Sequence, residues 1–320
     1  MCRIPERLFA ASLLLLAAGV ASAQNFPTRP LRIITADTGS TNDLVARLIA
    51  QGLTGNLGQQ VIVENRGGAS GLIAAQALVK SPPDGYTLLL YSSALWIGPL
   101  LQDPSANPIR DFAPITLAAS SPNLLAVHPS LPVKSVKDLI ALAKRRPGEL
   151  NYGSSSLGSS NHLGAELFKS MAKVNIVRVN YKGGGGALSA LMAGEVQLMF
   201  VTSGLVSGHL KSGRLRALGI CSLEPSTLYP GMPTVAASGL PGFESGSIYG
   251  TFAPPKTPET LVNRLNQEIV RAINQSEIKE RFFSIGVEGI GNSTAQFATS
   301  IKSDIAGMTR LIKEASISIK

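Results

Sequence analysis

Cysteine, histidine and aromatic residues are scarce in this 320-residue chain, and each shortage argues against a class of protein. Cys2 lies at the very start of the chain, which leaves Cys221 alone, so a disulfide framework is excluded and a buried single thiol is expected. The three histidines, His128, His162 and His209, form no H-x-x-x-H or H-x-x-E-H pair, so neither a metal site nor a cofactor is expected. Aromatic residues make up 5% of the chain, too few to build the stacking platforms that bind single-stranded nucleic acid.

Charge is sparse as well. Charged residues make up 15% of the chain and hydrophobic residues 44%, a balance typical of a folded protein and not of a disordered one. The 29 basic and 20 acidic residues give a formal charge of +9, but no block of like charges indicates a nucleic-acid partner. The length is sufficient for two domains, and the 32 glycines and 20 prolines indicate many tight loops.

The first 23 residues have the three-part pattern of an export signal. Arg3 and Arg7 precede an apolar stretch at residues 8–23, which ends in Ala21-Ser22-Ala23 and predicts a mature start at Gln24. This stretch of 16 residues is shorter than the roughly 20 that a membrane-spanning helix needs, and no later stretch qualifies. We therefore predict a cleaved signal peptide over residues 1–23, a periplasmic protein and a mature charge of +8, since two arginines and one glutamate are removed.

Short apolar runs alternate with helical patterns along the mature chain. The runs are continuous rather than alternating with polar residues, which is typical of parallel strands buried on both faces by helices. This pattern predicts an α/β fold, with strands at residues 31–34, 61–63, 86–91, 150–153, 176–180, 196–201 and 214–220.

Two further segments predict that the chain crosses between two lobes. The sequence ITLAASSPNLLAVH at residues 115–128 reads as a strand that leaves one sheet and enters another, because Pro122 is disfavoured inside a central strand. Residues 248–253 form a second crossing, and three helical stretches follow it. One lobe is thus predicted to comprise residues 24–121 and 247–320, the other residues 122–246, with a ligand cleft between them.

Four predicted strand-to-helix loops are rich in glycine and hydroxyl side chains. Ligands of open parallel sheets bind at the carboxyl ends of strands, where backbone N–H groups and helix N-termini favour anions. These loops predict a site for a small carboxylate, although capping and turn formation alone would also explain each of them. The candidate residues in them are Thr38, Gly39, Ser40, Thr41 and Asn42; Ser155, Ser156, Ser159 and Ser160 within residues 153–160; Gly183 within residues 182–186; and Thr202 and Ser203, followed by Gly204.

Other chemistries fit the motifs poorly. The segment YKGGGGALSA lacks the Gly-Lys-Ser/Thr of a phosphate-binding loop and does not complete G-x-G-x-x-G. The G-x-S-x-G motif of serine hydrolases is absent too. A hydrolase that pairs Ser155 or Ser156 with His162 stays an alternative, although a packing role suits a lone histidine better.

Several long segments carry a family resemblance. PTRPLRIITADTGSTNDLVARLIAQGL, GQQVIVENRGGASGLIAAQALVKSPPDGYTLLL, DFAPITLAASSPNLLAVHPSLPVKSVKDLIALAK and PTVAASGLPGFES resemble the solute-binding receptors of tripartite tricarboxylate transporters, also called Bug proteins. The resemblance covers essentially the whole mature chain. It implies a periplasmic-binding-protein type II fold (a Venus flytrap) that binds small carboxylates between its lobes, and a membrane permease as partner. It also adds Ser92, Ser93 and Tyr181 to the candidate ligand-binding residues.

Two departures from the family pattern affect the expected ligand. The first loop usually reads like Pro-Phe-x-Pro-Gly-Gly, whereas this chain has Thr-Ala-Asp-Thr-Gly-Ser, which puts the charge of Asp37 near the expected anion site. In the family an acidic residue often follows the strand that ends here at Leu198-Met199-Phe200, and this chain has Val201 in its place. The sequence predicts a monomeric receptor for uptake. A ligand sensor that docks on a membrane signalling partner, without transport, is the alternative.

Overall fold

A computed structural model of the chain describes residues 26–101 and 112–314, and the predicted signal peptide lies outside them. Helices and strands alternate through most of this part of the chain. The strands are β1 (Leu31–Thr35), β2 (Val61–Asn65), β3 (Thr87–Ser92), β4 (Ala113–Val127), β5 (Asn151–Ser154), β6 (Val177–Asn180), β7 (Leu198–Thr202), β8 (Arg216–Ile220), β9 (Gly246–Ala253) and β10 (Glu288–Gly289). The α-helices are α1 (Thr41–Leu57), α2 (Leu72–Val79), α3 (Ala94–Ile97), α4 (Val136–Arg145), α5 (Ser160–Ala172), α6 (Gly183–Ala193), α7 (Ser203–Lys211), α8 (Glu259–Ile273), α9 (Ser276–Ser284) and α10 (Thr294–Glu314).

The strands form two parallel groups joined by two antiparallel strands. Their order is β2-β1-β3-β9-β4-β7-β5-β6, and β8 and β10 each pair with β4. β1 runs parallel to β2 and β3, and β5 runs parallel to β6 and β7. Each group therefore contains parallel strands, as predicted. β4 and β9 lie between the two groups and run antiparallel to their neighbours.

β4 confirms the prediction of a strand that passes from one sheet into another. Its first part, from Ala113 to Pro122, pairs with β9, whereas Asn123 to Val127 pair with β7. Pro122 lies at the change of partner, opposite Gly246. A proline is tolerated there because its missing N–H coincides with the point where one ladder gives way to the next.

The two groups of strands are the cores of two lobes. We call β1–β3 with α1–α3 and α8–α10 the first lobe, and β5–β8 with α4–α7 the second lobe. Both faces of the first sheet are buried: Leu88 and Leu90 pack with one apolar cluster, and Leu89 and Tyr91 pack with another. Continuous apolar runs were the correct signal for such strands. The division at residues 121/122 and 246/247 stays a prediction.

α6 is where the structure departs most from the expected elements. The glycines at residues 183–186, predicted as a loop, form the first turn of this helix. Glycine is a poor helix former, but Ala187, Leu188 and Leu191 bury the helix against the second lobe, and tertiary packing overrides the local preference.

Two smaller expectations concern burial and the membrane. Cys221 is a fully buried free thiol, as predicted, and burial raises its pKa. Across residues 26–101 and 112–314, no helix combines the length and the apolar character that a membrane crossing requires.

Candidate ligand-binding cleft

A cavity of about 440 Å³ lies between the two lobes. It brings together residues from all four loops that the sequence singled out, and from the end of β3. The predicted site residues that line it are Ser40, Thr41, Asn42, Ser92, Ser155, Ser156, Ser159, Ser160, Tyr181, Gly183 and Thr202. Their contact with a ligand stays a prediction.

The wall formed by the first lobe contains a helix N-terminus that the chain itself has capped. Ser40 is the N-cap of α1 and its hydroxyl accepts a hydrogen bond from the Asp43 N–H at 3.3 Å. The Asp43 carboxylate accepts the Gly39 N–H at 2.9 Å and pairs with Arg47 at 3.0 Å. Burial opposes ionisation of Asp43, but hydrogen bonds from Arg47, Asn65 and Gly39 outweigh it, so the pKa lies below its ordinary value. Asp43 thus occupies the first helical turn, as expected, and neutralises this helix end.

The wall formed by the second lobe presents three helix N-termini without such caps. α5, α6 and α7 follow β5, β6 and β7, and their N-cap residues are Ser159, Lys182 and Thr202. None of the three N-caps makes a side-chain hydrogen bond to its helix. The first N–H groups of a helix have no partner within the helix, and the helix dipole adds positive potential there. This wall therefore attracts an anion more strongly than the opposite wall.

The serine loop before α5 holds its shape through its own hydroxyl groups. Ser155 donates a hydrogen bond to Asn161 Oδ1 at 3.1 Å, and Ser159 donates to the Ser156 carbonyl at 2.6 Å. Ser160 donates to Asn123 Oδ1 at 3.2 Å. The Ser156 hydroxyl has no hydrogen-bond partner among the described residues, although Ser156 lines the cavity. Ser156 is thus the serine of this loop that is free to donate to a ligand.

A group of hydroxyls at the cavity joins both lobes to the crossing strand β9. The hydroxyls of Thr41 and Thr202, from opposite lobes, are 2.9 Å apart. The Tyr249 phenol lies beside both threonines and Ser247, whose hydroxyls favour its ionisation. Burial raises the pKa of Tyr249 to about 12, so it remains a neutral hydrogen-bonding group at physiological pH.

The lobes also touch through their backbones. Ser70 of the first lobe donates a hydrogen bond to the Leu157 carbonyl of the second at 3.0 Å. Beside it, Gly158 approaches Gly98 so closely that a Cβ on Gly158 would lie 2.4 Å from the Gly98 Cα. There is no room for a side chain at this contact.

Four of the predicted site residues lie away from the cavity lining. Thr38 is exposed, and Gly39 uses its N–H to bond Asp43. Ser93 lines a neighbouring cavity of about 860 Å³. Ser203 is completely buried, and its hydroxyl donates to the Gly286 carbonyl and lies 2.9 Å from the Ser121 hydroxyl. Ser203 thus packs the region where the lobes join.

The cavity also contains residues that sequence reasoning missed. Some of them follow β2, whose end lies beside the loop after β1 because the two strands are parallel, so the strand-end rule could have found them. Others lie on the antiparallel strand β9, to which that rule does not apply. The missed residues include Gly67, Gly68, Ala69, Ser70, Tyr91, Asn161, Asn180, Leu205, Ser247 and Tyr249.

His162 lies against the serine loop as a buried, hydrogen-bonded ring. Its Nδ1 accepts the Gly158 N–H at 3.3 Å, and no hydrogen bond in the described part of the chain joins it to Ser155 or Ser156. Burial and the charge of Arg178 lower its pKa to about 4, so the ring is neutral at physiological pH. Nor do residues 26–101 and 112–314 contain a group of three or more His, Cys, Asp or Glu residues that could hold a metal ion.

Comparisons with known proteins agree with this architecture. Residues 45–317 match the sequence profile of the tripartite tricarboxylate transporter family receptor. Protein BugT of Bordetella pertussis is 34% identical over 313 residues, which cover 95% of each chain. R. palustris Rpa4515, solved with adipate, shares 36% identity and a TM-score of 0.88 over 92% of this chain and 99% of that one. MatC (Rpa3494) from Rhodopseudomonas palustris, solved with bound malate, shares 29% identity and a TM-score of 0.82 over 90% and 99% of the two chains. With its two α/β lobes and the cleft between them, the chain therefore belongs to the tripartite tricarboxylate transporter family of receptors.

Proposed function

We propose that this protein is a periplasmic receptor that captures a small carboxylate between its lobes and delivers it to a membrane permease of the tripartite tricarboxylate type. The observation that carries the proposal is the meeting of three uncapped helix N-termini at one wall of the cavity. Unpaired N–H groups at helix N-termini bind carboxylates without needing a cationic side chain.

The chemistry of the remaining lining supports the same ligand class. Hydroxyl and amide side chains can orient a carboxylate, and the Ser156 hydroxyl is available to donate to it. Two relatives of known structure hold adipate and malate, which are both dicarboxylates. The cavity volume of about 440 Å³ lies within the range of small-molecule sites.

Lobe closure gives the receptor a conformation that a permease can recognise. The contacts of Ser70 with Leu157 and of Thr41 with Thr202 each need both lobes in place. A solute that bridges the two walls stabilises the arrangement in which these contacts form, and so shifts the population towards it. The permease would then distinguish loaded receptor from free receptor by the relative position of the lobes.

Thermal unfolding of protein that has been refolded free of co-purified solute tests the proposal. A panel of mono-, di- and tricarboxylates and amino acids should contain a ligand that stabilises the fold by about 2.7 kcal/mol at 100 times its Kd. Ser156→Ala should then weaken binding about 10- to 150-fold, since a hydrogen bond to a charged group contributes about 1.5–3 kcal/mol.

Ser189→Ala is the matched control, because this exposed hydroxyl of α6 donates to the Gly185 carbonyl at 3.0 Å and Ser189 is not among the residues that line the cavity. It should leave affinity unchanged. A flat thermal response to every carboxylate would refute the proposed ligand class. Loss of solute uptake on deletion of the gene would favour transport, whereas intact uptake with a lost transcriptional response would favour a sensor.

A further inference from the structure

Asp37 is the acidic residue of the cleft lining, and its carboxylate lies between the lobes. A Cβ added to Gly67 of the first lobe would lie 1.8 Å from Asp37 Oδ1. A Cβ added to Gly183, at the start of α6 in the second lobe, would lie 3.4 Å from Asp37 Oδ2. The carboxylate therefore packs against the backbone of its own lobe and faces the opposite wall across the cleft.

The Asp37 carboxylate is paired with no cationic side chain among residues 26–101 and 112–314. Within the described residues it takes part in no ion pair and accepts no hydrogen bond, and Lys182 is the cationic residue that shares the cavity lining with it. Its negative charge acts on Tyr91, whose pKa is raised by burial and further by Asp37. A solute that fills the cleft will displace water from this carboxylate, which is unfavourable unless the solute supplies a positive partner.

Asn42 presents a second acceptor in the same wall. Its Oδ1 is buried and has no hydrogen-bond partner in the part of the chain that the structure describes. Buried polar atoms are nearly always paired, so this oxygen would gain a partner if the Asn42 side chain turned towards a donor in the cavity. The exposed carboxylate of Asp37 is thus the unpaired anionic acceptor of this wall, whereas the second lobe offers helix N-termini.

We propose, building on the receptor function above, that the solute is zwitterionic: an amino acid whose ammonium lies at Asp37 and whose carboxylate lies at the N-termini of the second lobe. An ammonium suits this wall because it carries one positive charge and several N–H donors. A plain dicarboxylate would set its second negative charge against Asp37. Asp37 is therefore the residue that selects the amine.

Isothermal titration calorimetry with matched ligand pairs tests this inference. The pairs are glutarate and glutamate, succinate and aspartate, and adipate and 2-aminoadipate, whose members differ by one amino group. For the pair that binds best, the wild-type protein should bind the amino member at least about tenfold more tightly than its partner. The reason is that close charge pairs in a desolvated site contribute that much or more to affinity. Asp37→Asn should remove that preference.

Two further variants separate position from charge. Gly67→Ala keeps the carboxylate but places a methyl group where Oδ1 lies, so it should also reduce the preference. Asp84→Asn removes the same charge from an exposed position, where Asp84 pairs with Arg29 at 2.9 Å, and should keep the preference.

The outcomes distinguish this inference from the function on which it rests. If the dicarboxylates bind as tightly as their amino partners, and Asp37→Asn leaves that ratio unchanged, the zwitterion is refuted while the carboxylate receptor stands. If no member of any pair binds and no other carboxylate of the broader panel stabilises the protein, the zwitterion and the carboxylate receptor are both refuted.

Discussion

Replacing Gly158 with alanine should weaken solute binding more than it weakens the fold. Gly158 belongs to the serine loop of the second lobe and meets the backbone of Gly98 in the first. An alanine methyl at this point would lie 2.4 Å from the Gly98 Cα and 2.6 Å from its nitrogen. Neither atom can turn aside as a flexible side chain would, so the lobes must separate to make room.

The expected size of the effect has two parts. Gly158 has a φ of +74°, and a left-handed conformation costs alanine about 1–2 kcal/mol of folding free energy. Forcing an extra carbon into a packed contact costs about 1–3 kcal/mol more. This second cost applies only when the lobes meet, so it reduces the affinity for the solute about 5- to 150-fold.

Gly213→Ala separates the two parts. Gly213 lies in the second lobe with a φ of +71°, and a Cβ there would have no atom within 4 Å. Urea unfolding should show a similar loss of stability in both variants, whereas calorimetry with the best-binding carboxylate should show weaker binding in Gly158→Ala alone. X-ray scattering should also find the Gly158→Ala complex more open. Equal affinity in the two variants would refute the role assigned to this contact.

Two further predictions concern polar groups that are buried or partly buried. The pKa of His162 is lowered to about 4 from an ordinary 6.5, because the folded protein keeps the ring neutral. The folded state therefore has its full unfolding free energy above pH 6.5, and part of that free energy is lost as the pH falls from 6.5 towards 4. This loss approaches about 3 kcal/mol. In His162→Gln the unfolding free energy, measured with urea, should fall less steeply between pH 7 and 4.5 than in the wild type. An unchanged slope would contradict the role of His162 in this pH dependence. Trp96→Phe removes the indole N–H that donates to the partly buried Asp304 at 2.6 Å. The variant should lose about 1–3 kcal/mol of unfolding free energy, measured by urea unfolding followed by circular dichroism. The double variant Trp96→Phe/Asp304→Leu should recover part of that loss, and no recovery would show that packing alone explains it.

The sequence predicted the cleft best where a local rule decides the structure. Ser40, Thr41 and Asn42 follow a buried strand and begin a helix, and so does the serine loop. A continuous apolar run predicts a parallel strand, and a parallel strand places its following loop at one edge of the sheet. These residues could therefore be assigned to one cleft before their contacts were known.

Residues whose position depends on distant partners could not be assigned in this way. Ser203 also follows a strand, but its hydroxyl is taken by the carbonyl of Gly286, which is 83 residues away. Tyr249 reaches the cavity because β9 is paired with β3 on one side and β4 on the other, a register that no local pattern encodes. The start of α6 was missed for a related reason, since the packing of Leu188 and Leu191 outweighs the poor helix propensity of its glycines.

The pairing of β4 with β9 determines how the lobes can move. Their ladder, from Ala113 opposite Ala253 to Pro122 opposite Gly246, makes the two connections one hydrogen-bonded ribbon. A hydrogen-bonded ribbon bends as a unit, so one connection flexes together with the other, and Pro114 and Pro122 contribute no N–H to hold the ladder. The two lobes should thus open and close by one bending motion of this ribbon. Strain introduced at the mouth of the cleft should therefore be transmitted to the ribbon.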